Sequence, residues 1–76
     1  IAWMNGVFKY RDKPLNLVLE DISTWYGVQF DEQVNLKKIE ITMSLSKETP
    51  IDEVISFLER ITDCKFIKER GYYIVK

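Results

Sequence analysis

Residues 14–30, PLNLVLEDISTWYGVQF, and residues 50–66, PIDEVISFLERITDCKF, decide the fold. Laid over one another at an offset of 36 residues, they pair Pro14 with Pro50, Leu15 with Ile51, Val18 with Val54, Leu19 with Ile55, Ile22 with Leu58, Trp25 with Ile61, Val28 with Cys64 and Phe30 with Phe66. Self-similarity at a fixed offset marks a repeated supersecondary unit. In both stretches the apolar residues recur at spacings of three and four, the period of an amphipathic helix. Leu15, Val18, Leu19, Ile22, Trp25 and Tyr26 form the stripe of the first helix. Ile51, Val54, Ile55, Leu58 and Ile61 form that of the second, and Leu17 and Phe57 fall outside the two stripes. Each proline suits the first helical position, where no N–H is needed. Gly27 stops the first helix; Thr49 is placed to cap the second, whose Asp52, Glu53 and Arg60 complement its dipole.

Outward from the helices the period changes to two. Ile39, Ile41, Met43 and Leu45 alternate with Lys38, Glu40, Thr42 and Ser44, as in a half-buried strand. Ahead of the first helix Phe8 and Tyr10 alternate after Gly6, but their inward positions slip by one against the repeat, as a connection of different length into the helix would cause. A short strand is predicted after each helix, at residues 28–30 and 64–67, and the polar residues 31–36 are predicted as a loop. In the tail, CKFIKERGYYIVK, residues 68–71 turn the chain, Gly71 supplies a positive φ, and Tyr72, Tyr73, Ile74 and Val75 form a last strand. The expected fold class is therefore α+β in a single domain, residues 1–76, with an internal repeat of about 1–35 and 36–76. Two similar βαβ units place two helices on small mixed or antiparallel sheets and end in a β-hairpin.

Composition excludes more than it selects. Seventy-six residues with 46% apolar and 30% charged side chains suit one small globular domain, in which roughly 60% of the chain's surface can be buried. There is no histidine and one cysteine, Cys64, so the usual zinc sets, histidine relays and internal disulfides are absent. Cys64 matches the apolar Val28 of the first half and reads as a small core residue. The adjacent acidic pairs Glu20–Asp21, Asp31–Glu32 and Asp52–Glu53 lie in helices or a loop, where solvation or capping accounts for them. No catalytic, metal or cofactor-binding residue is expected. No apolar run approaches the twenty or so residues of a membrane span. The chain begins at Ile1, which is read as a domain excised from a longer parent or a processed product.

The net charge of −1 gives no general attraction to nucleic acid. Its distribution is uneven: residues 20–59 are predominantly acidic, while Arg60, Lys65, Lys68, Arg70 and Lys76 make the tail basic. Basic strands with Phe66, Tyr72 and Tyr73 could stack bases, yet no stacking motif accompanies them, and a nucleic-acid module is the weakest alternative. Trp3, Phe8, Tyr10, Leu17, Phe57, Tyr72 and Tyr73 exceed what two helix stripes and a few short strands consume. An apolar excess of this kind points to protein recognition. Leu17, Phe57, Tyr72 and Tyr73 are the candidate contact residues, with Lys68 and Arg70 as charged rim.

The pattern W-x-x-G-V-F at residues 3–8, the Pro14-Leu15 helix ending Trp25-Tyr26-Gly27-Val28, the Pro50-Ile51 helix and the final G-Y-Y-I-V closely resemble the C-terminal domain of FecR-family anti-sigma factors, particularly the Bacteroidetes type. The positions that carry this resemblance are Trp3, Gly6, Phe8, Pro14, Leu15, Trp25, Tyr26, Gly27, Pro50, Gly71 and Ile74, and they specify fold more than ligand. The chain also resembles the secretin and TonB short N-terminal fold of two βαβ units. The resemblance implies the periplasmic end of an inner-membrane regulator, without enzymatic activity. Its implied partners are the N-terminal signalling domain of a TonB-dependent outer-membrane transducer and, through an upstream region, an extracytoplasmic-function sigma factor. The alternative of the same fold type is a short N-terminal module of a secretin or TonB-dependent receptor.

Overall fold

Two twelve-residue helices, α1 (Leu15–Tyr26) and α2 (Ile51–Thr62), dominate the computed structural model, which describes residues 6–76. Trp3 therefore lies outside the described residues. Pro14 and Pro50 stand one position earlier than predicted, immediately before each helix, with ψ of 138° and 146°. Their fixed φ suits the helical entrance, while the extended ψ brings the chain in from a strand or turn. Neither helix has a side-chain cap. Thr49 instead accepts a hydrogen bond from the Tyr26 hydroxyl through its carbonyl, and the Pro50 carbonyl receives the Glu53 and Val54 N–H groups.

At the other ends the repeat extends into the caps. Gly27 closes α1 at φ 70°, donating its N–H to the Ser23 carbonyl at 2.8 Å, and Asp63 closes α2 at φ 58°. Both take the left-handed conformation that releases a chain from a helix, with aspartate standing where the first half has glycine. Leu15, Val18, Leu19 and Ile22 are buried along α1, as are Val54, Ile55 and Leu58 along α2. Trp25 and Ile61, paired by the repeat and placed in the predicted stripes, are instead 54% and 42% exposed. At about 100° per residue they fall roughly 70° from the centre of the buried face, whereas Tyr26 and Thr62 fall about 30° from it. The latter two are the half-buried residues.

The strands of each half part company. In the first sheet β1 (Val7–Pro14) pairs antiparallel with β3 (Glu40–Ser46); in the second, β5 (Tyr72–Val75) lies between β2 (Gln29–Glu32), to which it is parallel, and β4 (Phe66–Lys68), to which it is antiparallel. Both halves thus contribute to both sheets: the first gives β1 and β2, and the second gives β3 to the first sheet and β4 and β5 to the second. Phe8, Tyr10, Ile41 and Met43 bury one face of the first sheet; Phe66, Tyr73 and Val75 bury one face of the second. Cys64 is buried, as its match to Val28 implied. The core these residues form is a single cluster.

Connection lengths explain the slip between the halves. β1 runs directly into α1, whereas residues 47–50 separate β3 from α2. β1 also carries a bulge: its pairing with β3 shifts by one residue between Tyr10 and Lys13. Asp12 occupies the bulge at φ 51°, its N–H donating to the Thr42 hydroxyl at 3.0 Å. Short polar side chains tolerate this backbone region better than others do.

The predicted loop at residues 31–36 requires correction. Asp31 and Glu32 continue β2, and Leu36 opens a single 3-10 turn, Leu36–Lys38, stabilised by the Asn35 side chain accepting the Lys37 N–H. Leu36 is only 1% exposed and belongs to the core. The tail forms the predicted hairpin, with Gly71 at φ 80°.

Candidate functional site

The contact residues expected from sequence do not form one surface. Tyr73 packs in the core, its ring 5.7 Å from that of Phe30, and is 4% exposed, so it is withdrawn as a contact residue. The cause is its inward phase on β5. Phe57 is half-buried against the same core. Tyr72 and Leu17 are exposed, at 39% and 38%, but stand on β5 and α1 respectively. Arg70 is exposed in the β4–β5 turn. Lys68 lies 3.8 Å from Asp52 in an ion pair too open to water to contribute much stability.

Tyr72 nonetheless has apolar company. Alternation along the strands puts it on the outer face of the second sheet with Ile74 and, through the pairing of Ile67 with Ile74, with Ile67. Ile67 is 37% exposed and Ile74 half-buried. This is a small apolar face flanked by the hairpin's basic residues.

A second surface, absent from the sequence-based candidates, lies between β1 and α1. A groove of about 570 Å³ is lined by Val7, Phe8, Lys9 and Tyr10 on the strand side, by Asp21, Thr24 and Trp25 on the helix, and by Lys47. The Trp25 indole N–H donates to the Lys47 carbonyl at 2.9 Å, and its ring meets Phe8 edge to face at 6.5 Å. The Lys47 ammonium lies 5.0 Å from the centre of the indole and 5.4 Å from that of Phe8. Trp25 is thereby fixed while more than half of it remains open to solvent. Lower in the groove the Tyr10 hydroxyl donates to Asp21 at 3.0 Å, and Lys13 approaches the Tyr10 ring. Burial foremost, then the bond to Asp21 and that carboxylate's charge, push the Tyr10 phenol well above its ordinary value. Burial also raises Tyr26.

Trp25 was visible in the sequence but was assigned to the core stripe. Its position at the margin of the helical wheel was the signal that could have corrected this. Lys47 carried no local signal, because only the folded chain brings it beside Trp25, 22 residues away. Among the described residues, no group of three or more histidine, cysteine, aspartate or glutamate side chains is arranged to hold a metal ion. No helix among them is long and apolar enough to cross a membrane.

Residues 7–75 match the family model described as FecR, C-terminal. None of the curated proteins matches the chain. Among solved structures, two crystal structures of a candidate anti-sigma factor from Parabacteroides distasonis ATCC 8503, at 1.65 and 2.50 Å resolution, superpose with TM-scores of 0.84 and 0.83. Both are 17% identical in sequence to this chain and are matched over 99% and 97% of it. The chain spans 35% of the length of those proteins, and the likeness at this identity is one of fold.

Proposed function

Because this chain belongs to the FecR C-terminal family, we propose that it is the periplasmic sensing domain of an anti-sigma factor anchored in the inner membrane. In this reading the domain contacts the N-terminal signalling domain of a TonB-dependent outer-membrane transducer. A change in that contact is relayed upstream to the region of the parent that holds an extracytoplasmic-function sigma factor. The family match over residues 7–75 carries the proposal, and the fold shared with the Parabacteroides protein supports it. The chain contributes binding surface to this relay and no bond-making chemistry: it has no histidine, and Cys64 is buried.

Tyr72, Leu17 and the half-buried Phe57, with Lys68 and Arg70 as charged rim, remain the proposed contacts from the sequence pattern. The apolar outer face of the second sheet, with Ile67 and Ile74 beside Tyr72, is the setting in which an aromatic contact residue is most effective. Calorimetric titration of the domain with the purified signalling domain of the transducer encoded beside its parent tests this reading. Saturable binding is expected, weakened about tenfold by Tyr72→Ala, a loss of ~1.4 kcal/mol. Absence of binding by the unaltered domain would refute the transducer as partner.

A further inference from the structure

Among the described residues β1 is the longest strand, with eight residues, and β3 is its one ladder partner. The Lys47 N–H donates to the Gly6 carbonyl at 2.7 Å, which sets the phase of the antiparallel ladder. With Phe8 opposite Leu45 and Tyr10 opposite Met43, alternation directs the N–H and C=O groups of Phe8 and Tyr10 toward β3. Those of Val7 and Lys9 therefore point away from it. Four successive β1 residues line the groove, so it follows the strand's edge.

β3, the other edge of the first sheet, carries Glu40 and no basic residue, and the outer edges of the second sheet are shorter still. β4 has three residues, and the N–H of Phe66 is taken by the Glu59 carboxylate at 2.9 Å. β2 has four and carries Asp31 and Glu32. At β1, Lys9 and Lys47 line the groove and Arg11 and Lys13 follow along the strand with Asp12 between them, whereas the one carboxylate lining the groove, Asp21, is engaged by the Tyr10 hydroxyl. Lysine on a free edge discourages indiscriminate strand pairing, and here it opposes pairing with a second, equally basic β1. The same charge favours an acidic strand. Trp25 lies alongside as a large apolar surface already fixed by Lys47 and Phe8, so that little side-chain freedom is lost when a partner covers it.

We infer that the free edge of β1 and the Trp25 groove bind an extended, acidic segment of a partner protein, which adds to β1 as a strand and lays an apolar side chain on Trp25. The inference rests on the reading that this domain works by protein contact, but not on the identity of the partner. Main-chain bonds to Val7 and Lys9 supply the pairing, Lys9 and Lys47 select the charge, and Trp25 anchors one side chain.

The test titrates the isotope-labelled 76-residue chain with the blocked peptide Glu-Val-Glu-Leu-Glu-Val-Glu and with its counterpart bearing lysine in place of glutamate. The acidic peptide is expected to shift the Val7 and Lys9 amides and the Trp25 indole N–H, to slow amide exchange at Val7 and Lys9, and to bind at least tenfold more tightly than the basic one. Lys9→Pro removes an outward N–H without removing a bond to β3, and it should weaken binding at least tenfold. The double substitution Lys9→Glu with Lys47→Glu, at side chains outside the core, should reverse the charge preference even if the proline variant misfolds. Equal binding of both peptides, shifts confined to Tyr72 and Ile67, or self-association of the domain through Val7 and Lys9 would each overturn the inference. If the transducer's signalling domain binds and ignores the charge reversal and Trp25→Ala, and the acidic peptide binds no more tightly than the basic one, this inference fails and the relay reading stands. If the acidic peptide binds as described and the signalling domain does not, only the relay reading fails.

Discussion

At the scale of single residues, Leu36 and Tyr10 show how position governs contribution. Leu36 stands between polar Asn35 and Lys37 yet is fully packed, while Val34 two residues earlier is 42% exposed. Leu36→Ala should cost about 2–4 kcal/mol in urea unfolding, and Val34→Ala less than about 0.5 kcal/mol. Two apolar residues in so short a polar segment establish no period, so nothing local distinguishes the packed Leu36 from the exposed Val34. Tyr10 couples stability to pH. In the unfolded chain its phenol loses its proton near the ordinary value of 10, whereas the folded domain retains it to higher pH. As pH rises above about 10 the unfolded state binds fewer protons than the folded one, so stability falls; below that value the contribution is fully present. The urea midpoint should therefore drop between about pH 10 and 12, and Tyr10→Phe should make that drop shallower.

At the scale of elements, the helices were legible because their signals are local: apolar spacing, a proline before each and Gly27 after the first. Their sheet partners were not, because nothing within residues 7–14 states that they will meet residues 40–46 in place of their own half's second strand. The groove was hidden for the same reason, since Trp25, Lys47 and the β1 edge converge only after pairing. The bulge at Asp12 has a consequence that pairing alone does not convey. It keeps Phe8 and Tyr10 facing the core while Lys13 remains opposite Ile41. Deleting Asp12 forces a one-residue slip that turns both aromatics outward or breaks the pairing beyond them. We expect such a variant to lose more than about 3 kcal/mol, or to be unfolded by circular dichroism. Asp12→Gly keeps the extra residue and its N–H bond to Thr42 and eases the positive φ, giving up only the bond its carboxylate accepts from the Thr42 hydroxyl, and should change stability by less than about 1 kcal/mol.

At the scale of the whole molecule, the sequence repeat was correct as arithmetic and incomplete as architecture. It identified two similar units but gave no sign that the units exchange strands, because an offset between residues says nothing about which edges meet. The pairs β1 with β3 and β2 with β5 each join one half to the other. The two units are in this sense a fused pseudo-dimer in which each protomer has lent a strand. Residues 6–33 and 34–76 produced as separate peptides should each be largely unstructured, since either alone leaves its helix stripe and strand edges uncovered. Mixed at equal concentration, they should regain the far-ultraviolet signal of the intact chain at a midpoint that depends on concentration. The peptide link at residues 33–34 would then serve chiefly to raise one half's local concentration around the other, and cutting it would turn a folding equilibrium into a binding equilibrium.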